Sequence, residues 1–276
     1  MVRSVFAPFR TAFRAVDPLQ GVCSVLLDVA FLFAYGFVTK PVSDKIVEHA
    51  VIIGDILSRA SKELMQTRDA SPGLLELLFT NQEARPFVLK LVVLLVLLLA
   101  VVYAVYWFFQ GTNWKLARDA ARGEGEYLGY MGYFARVNVP WFLFFGFISL
   151  LQVGVSLYGV VVERVLQSSL GAFWPMVLDV VFLVVFFAAC VSYALPVRGA
   201  GWSRVKESFR VVFYWRGLAV LAALFAAFWL INWLLVWAGT RGFAFQAVLG
   251  VVVLLPVVYV SRLVIVAMVK GVEGSA

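Results

Sequence analysis

Two aspartates stand inside apolar segments, in near-identical hexapeptides: Leu27-Asp28-Val29-Ala30-Phe31-Leu32 and Leu178-Asp179-Val180-Val181-Phe182-Leu183. A carboxylate on a helix that crosses a bilayer costs roughly 2.5 to 3.5 kcal/mol on insertion scales, so each needs a compensating role. Two carboxylates can share a proton, one can sit in a proton or ion path, or each can be neutralised by a base. The bases are present: Lys90 and Arg262 also lie in apolar segments. Asp28 is about nine residues, and Arg262 about eight, from the end of its segment that faces the same side, a matched depth at about 1.5 Å per residue. Asp179 and Lys90 each lie close to the opposite end. Depth therefore pairs Asp28 with Arg262 and Asp179 with Lys90, and it separates the two aspartates too far for one shared proton.

Known catalytic patterns do not fit. The single histidine, His49, excludes an HExxH zinc site and any multi-histidine centre. Neither aspartate has the Tyr-Asp or Gly-x-Gly-Asp context of intramembrane aspartyl proteases. The chain has no Gly-x-Ser-x-Gly elbow and no Gly-Lys-Ser/Thr phosphate loop. The stretch Asp119 to Arg122 lacks the paired aspartates of phosphatidyl-alcohol transferases. Cys23 and Cys190 fall in apolar stretches without CxxC spacing and are expected to pack as small hydrophobes. No enzymatic activity, cofactor or metal is expected.

The elements that must position these charges follow from composition. Of 276 residues 63% are hydrophobic and 14% charged, with a mean hydropathy of +0.94, too little polar surface to cover a water-soluble globule. Spanning about 30 Å of hydrocarbon takes roughly 20 helical residues, and segments at 19–38, 87–110, 139–162, 174–197, 217–238 and 243–269 meet that length. The expected fold is all-α: one polytopic membrane domain over residues 1–276 with six transmembrane helices. The apolar stretch from Leu19 to Val38 is too long for a signal-peptide core and lacks a small-x-small cleavage site, so it reads as an uncleaved first span.

Thirteen Lys and Arg residues flank the spans on one side and eight on the other, six of those eight in one long loop. The positive-inside rule then places both termini in the cytoplasm. The net charge of +7 resides on that cytoplasmic side, which removes the case for nucleic-acid binding and substitutes attraction to anionic headgroups.

Three segments on that side have interfacial character. Residues 1–17 form an amphipathic helix, with Phe6, Phe9 and Phe13 at helical spacing and Arg3, Arg10 and Arg14 elsewhere. Residues 202–215 repeat the pattern with Trp202, Phe209 and Phe213 beside Arg204, Lys206 and Arg210; these six cations are the expected headgroup contacts. The loop 112–138 does so more weakly, interrupted by glycines. On the other side, residues 39–86 form a helical extracytoplasmic cap: an amphipathic helix carrying Ile46, Ala50, Ile53 and Leu57, then a short second one beginning at Ser71-Pro72. Six tryptophans, Trp107, Trp114, Trp141, Trp174, Trp202 and Trp215, fall near span ends as an aromatic belt would. Gln110, Asn113 and Asn138 are candidates to line an inner vestibule.

Tyr35-Gly36-Phe37-Val38, Phe109-Gln110-Gly111 with Trp114, and Tyr133-Phe134 with Asn138 and Trp141 give residues 20 to 145 a resemblance. The stretch resembles a group of uncharacterised six-span archaeal membrane proteins. The resemblance implies a prokaryotic cell membrane and six spans, and carries no assigned activity.

The expectation is a non-enzymatic scaffold or regulatory component of the plasma membrane, in contact with the bilayer, its anionic cytoplasmic headgroups, and a second copy or another membrane protein. The alternative is a small transporter or channel. If residues 174–269 repeat the first half, three spans separate the copies, the halves are inverted, and Asp28 and Asp179 serve an ion or proton pathway.

Overall fold

The computed structural model describes residues 6–67, 81–123, 126–166, 173–197 and 201–273. These are helical apart from short connections. In chain order the helices are α1 (Ala7–Arg14), α2 (Pro18–Thr67), α3 (Arg85–Arg122), α4 (Tyr127–Leu166), α5 (Phe173–Ala194), α6 (Gly201–Val212), α7 (Trp215–Gly239), α8 (Phe243–Leu249) and α9 (Leu255–Glu273), with a π turn at Gly250–Leu254 between the last two. Among the described residues six helices are long and apolar enough to cross a membrane: Pro18–Arg59, Arg85–Arg122, Tyr127–Ile148, Val177–Ala194, Trp215–Gly239 and Phe243–Val272. That is compatible with an integral membrane protein.

Three of these helices are longer than the sequence predicts. The first span and the following amphipathic segment are one continuous helix, α2, which passes through Pro41. Proline removes one donor and frees the carbonyl of residue 37, a local loss that bilayer helices tolerate. Where a loop is expected at 112–138, α3 instead continues to Arg122 and α4 starts at Tyr127. The break between them has a local cause: Gly123 adopts φ +67°, and its N–H donates to the Asp119 carbonyl at 2.9 Å, the left-handed glycine stop of an α-helix. The expected helix at Ser71-Pro72 lies outside the described residues, as do Arg3 and its neighbours at the N-terminus.

The chain divides into two compact units. The larger comprises Met1–Val29 and Trp107–Ala276, the smaller Ala30–Tyr106, so α2 and α3 each contribute one stretch to both. In the larger unit α9 is central and packs against α1, α5 and α7, while α4, α5 and α6 pack on one another. Its core is Leu263, Val264, Val266, Met268 and Val269 from α9 with Ala188, Val191 and Ala194 from α5. The π turn stands just before Pro256, whose missing N–H would leave the ordinary α bond to Val252 unmade. The Leu255 N–H donates to Gly250, the i→i+5 pattern that absorbs one residue.

Beside this apolar core, many large apolar side chains are exposed and several polar ones are buried. Leu97, Phe147, Trp229 and Val252 are exposed, while Asp28, Gln110, Asn113, Lys115, Arg118, Asn138 and Arg262 are buried. Hydrocarbon solvates the former, and the latter must find partners inside the protein.

Candidate functional site

Two buried charges form a clasp inside the larger unit. Asp28 comes from α2, Arg262 from α9, and Gln110 and Asn113 from the C-terminal part of α3. Arg262 donates to both carboxylate oxygens of Asp28 at 2.9 Å each, a fork-on-fork geometry. Gln110 Nε2 donates to Oδ1 at 3.1 Å and Asn113 Nδ2 donates to the same oxygen at 2.8 Å. The guanidinium also donates to Ser24 Oγ at 3.1 Å and Gln110 Oε1 at 2.8 Å. Both charged side chains are less than a tenth exposed.

Local spacing explains these contacts. Ser24 precedes Asp28 by four residues and Gln110 precedes Asn113 by three, so each pair shares a helix face. Of the four donors on the carboxylate three converge on Oδ1 and one reaches Oδ2. Two buried charges remain together only when geometry is good and extra hydrogen bonds satisfy the rest; the amides and the serine meet that requirement. Since a carboxylate only accepts, the Asn113 amide must present its nitrogen, and Asn113 Oδ1 is left without a partner among the described residues.

A second polar cluster caps the C-terminus of α5. The last carbonyls of a helix have no intrahelical partner, and Pro196 prevents continuation. Tyr133 Oη donates to the Ser192 carbonyl at 2.7 Å, Tyr130 Oη to the Tyr193 carbonyl at 3.2 Å, and Arg118 to the Leu195 carbonyl at 2.7 Å. Arg118 also lies 5.0 Å from the Tyr130 ring, a cation at the negative end of the helix dipole. Trp141 Nε1 donates to Ser192 Oγ at 2.8 Å, and Tyr193 Oη donates to Asn138 Oδ1 at 2.7 Å. Trp114 packs edge-on against Tyr193. Trp114 and Trp141 are therefore core residues and not part of an aromatic belt. Trp202 is 60% exposed.

The other sequence-flagged residues are placed as follows. Asp179 is exposed and accepts from Gln152 Nε2 at 3.0 Å within the larger unit. Lys90, also exposed, holds its ammonium 5.6 Å from the Phe87 ring centroid within the smaller unit. Arg10 and Arg14 are exposed on α1, and Lys206 and Arg210 on α6. Arg204 is buried and ion-paired to Glu207, three residues on along the same helix.

Sequence reasoning missed Ser24 and the α5 cap. Ser24 carried a usable signal, its four-residue spacing from Asp28. The cap did not, because tyrosines 130, 133 and 193 read as ordinary apolar-face aromatics until their hydroxyls are placed. Among the described residues no three His, Cys, Asp or Glu side chains gather as a metal site would require. No protein-family model matches the chain, and no curated protein or solved structure matches it.

Proposed function

We propose that this chain is a non-enzymatic scaffold or regulatory component of a plasma membrane, with both termini cytoplasmic and the Asp28–Arg262 pair as a structural clasp. The observation that carries the reading is the fork-on-fork pairing of Asp28 with Arg262, backed by one bond each from Gln110 and Asn113. A relay carboxylate must exchange its proton or ion, whereas a carboxylate held bidentate by a guanidinium that does not deprotonate is already neutralised in place. In this topology Phe6, Phe13, Trp202 and Phe213, all more than half exposed, would enter the headgroup boundary beside Arg10, Arg14, Lys206 and Arg210.

Proteoliposome flux tests the reading. No pH- or ion-driven flux is expected from the wild-type chain, and Asp28→Asn and Asp179→Asn should alter stability or assembly alone. Flux that disappears in Asp28→Asn would overturn it. The second reading, a small transporter, draws on one observation: the helix that bears Arg262 is interrupted by the π turn at Gly250–Leu254, and interrupted helices are where transporters build their sites. Wild-type flux abolished by removing the π turn would favour that reading.

A further inference from the structure

The smaller unit contains an open groove that the clasp does not use. Its walls come from α2 and α3, which meet where the His49 and Phe87 rings lie 6.0 Å apart. Lys45, His49, Leu89, Lys90, Val93 and Leu94 line a cavity of about 400 Å³, within the size range of small-molecule sites. Leu89 and Val93 are 59% and 65% exposed. They stand one turn apart on α3 and extend the apolar wall along the helix axis.

The polar groups at this groove are cationic in balance. Lys45 donates to Glu48 at 2.5 Å, so those two charges cancel. His49 Nδ1 donates to the Lys45 carbonyl at 2.8 Å, and because a carbonyl only accepts, the proton on that side is fixed and Nε2 is the remaining ring nitrogen. Among the described residues Lys90 forms no ion pair; its ammonium rests beside the Phe87 ring. A lysine near the end of an apolar helix carries its charge toward the headgroup level while its stem stays in hydrocarbon. Positive charge at that level next to an apolar wall is complementary to one constituent of the surrounding bilayer.

The geometry points to a binding site for a single anionic phospholipid, with its phosphodiester held by Lys90 and one acyl chain laid along Leu89, Val93 and Leu94. The inference rests on the membrane-spanning part of the proposed function and not on the scaffold assignment, so a flux result and a lipid-selectivity result fail independently.

Native mass spectrometry of the full chain, delipidated in mild detergent and titrated with phosphatidylglycerol or phosphatidylcholine of identical acyl chains, tests it. One phosphatidylglycerol should be retained in preference to phosphatidylcholine. Lys90→Gln should cut that preference on the order of fivefold, the worth of about one cation at an anionic surface. Lys90→Arg should keep it, as should Lys206→Gln/Arg210→Gln. Equal retention of the two lipids by the wild-type chain overturns the site, as does a preference that survives Lys90→Gln. Competition with oleate separates the two sources of an anionic amphiphile: a free fatty acid that displaces phosphatidylglycerol through Lys90 overturns the phospholipid assignment.

Discussion

The helix α3 passes from one environment to another along its own length. In the smaller unit its stretch to Tyr106 is a run of valine and leucine whose side chains face outward; Val92, Val93, Val96 and Leu99 are more than half exposed, and no residue of its most apolar window is buried. In the larger unit its continuation buries Gln110, Gly111, Asn113, Trp114, Lys115, Ala117 and Arg118. A helix in water would show the reverse. The difference teaches that along this helix burial follows the need for partners: in a bilayer apolar side chains would be solvated by hydrocarbon, while amides, guanidinia and carboxylates must meet one another. Gly111 marks the change of regime, since a Cβ there would lie 2.9 Å from Met131 Cε and 3.1 Å from Phe134 Cδ1. The polar half of the helix is fitted against α4, and the apolar half lacks such a fit.

Breaking the polar half at its most charged point should have the largest effect. Arg262→Ala leaves Asp28 buried without its counter-charge, and removal of one partner from a buried pair costs about 3 to 5 kcal/mol. The unfolding midpoint in detergent should fall accordingly. The double variant Asp28→Leu/Arg262→Met should recover most of the loss, because it removes both charges and retains volume. A double variant as unstable as the single one would mean that the pair does more than neutralise itself.

An apolar truncation in the same unit comes next. Leu263 is fully buried on α9, and Leu263→Ala should cost about 2 to 5 kcal/mol by lost contacts and a residual cavity. Arg118→Met follows, at about 1.5 to 3 kcal/mol, since it removes a charged donor from the Leu195 carbonyl at the end of α5. Hydrogen exchange should rise at the last turn of α5 and not at its centre. A uniform rise along the helix would show that the arginine supports packing and is not a cap.

How much of this was legible beforehand depends on the kind of residue. The spans were legible because twenty apolar residues in a row have few other fates. The Asp28–Arg262 partnership followed from depth alone, since in a bilayer two opposite charges at one level find each other at less cost than apart. The continuous helix through Pro41 was not legible: the break that proline imposes in water is conditional, and nothing local says whether a neighbouring carbonyl can go unpaired. Trp114 and Trp141 were misread for a related reason. An indole at a span end suits the interface equally well as a core position with a hydroxyl in reach, and Ser192 supplies that hydroxyl from a segment 51 residues away. The clasp's amides fell between these cases, visible as polar residues on one helix face but without an indication of which acid they served.

The smallest effect belongs to the bare half of α3. Leu97 is 48% exposed, so in a bilayer its side chain contacts lipid in the folded chain and in a separated helix alike, and truncation removes little that folding gained. Alanine is also the better helix former. Leu97→Ala should therefore shift stability by less than about 0.5 kcal/mol, against the several lost at Leu263, when both are measured by the same detergent unfolding assay. The comparison is informative in the other direction too. A loss at Leu97 near that at Leu263 would mean that this face is covered by protein in the state being measured. Dilution would then decide the matter, because a face covered by a second copy loses stability as the protein is diluted whereas one covered from within the same chain does not.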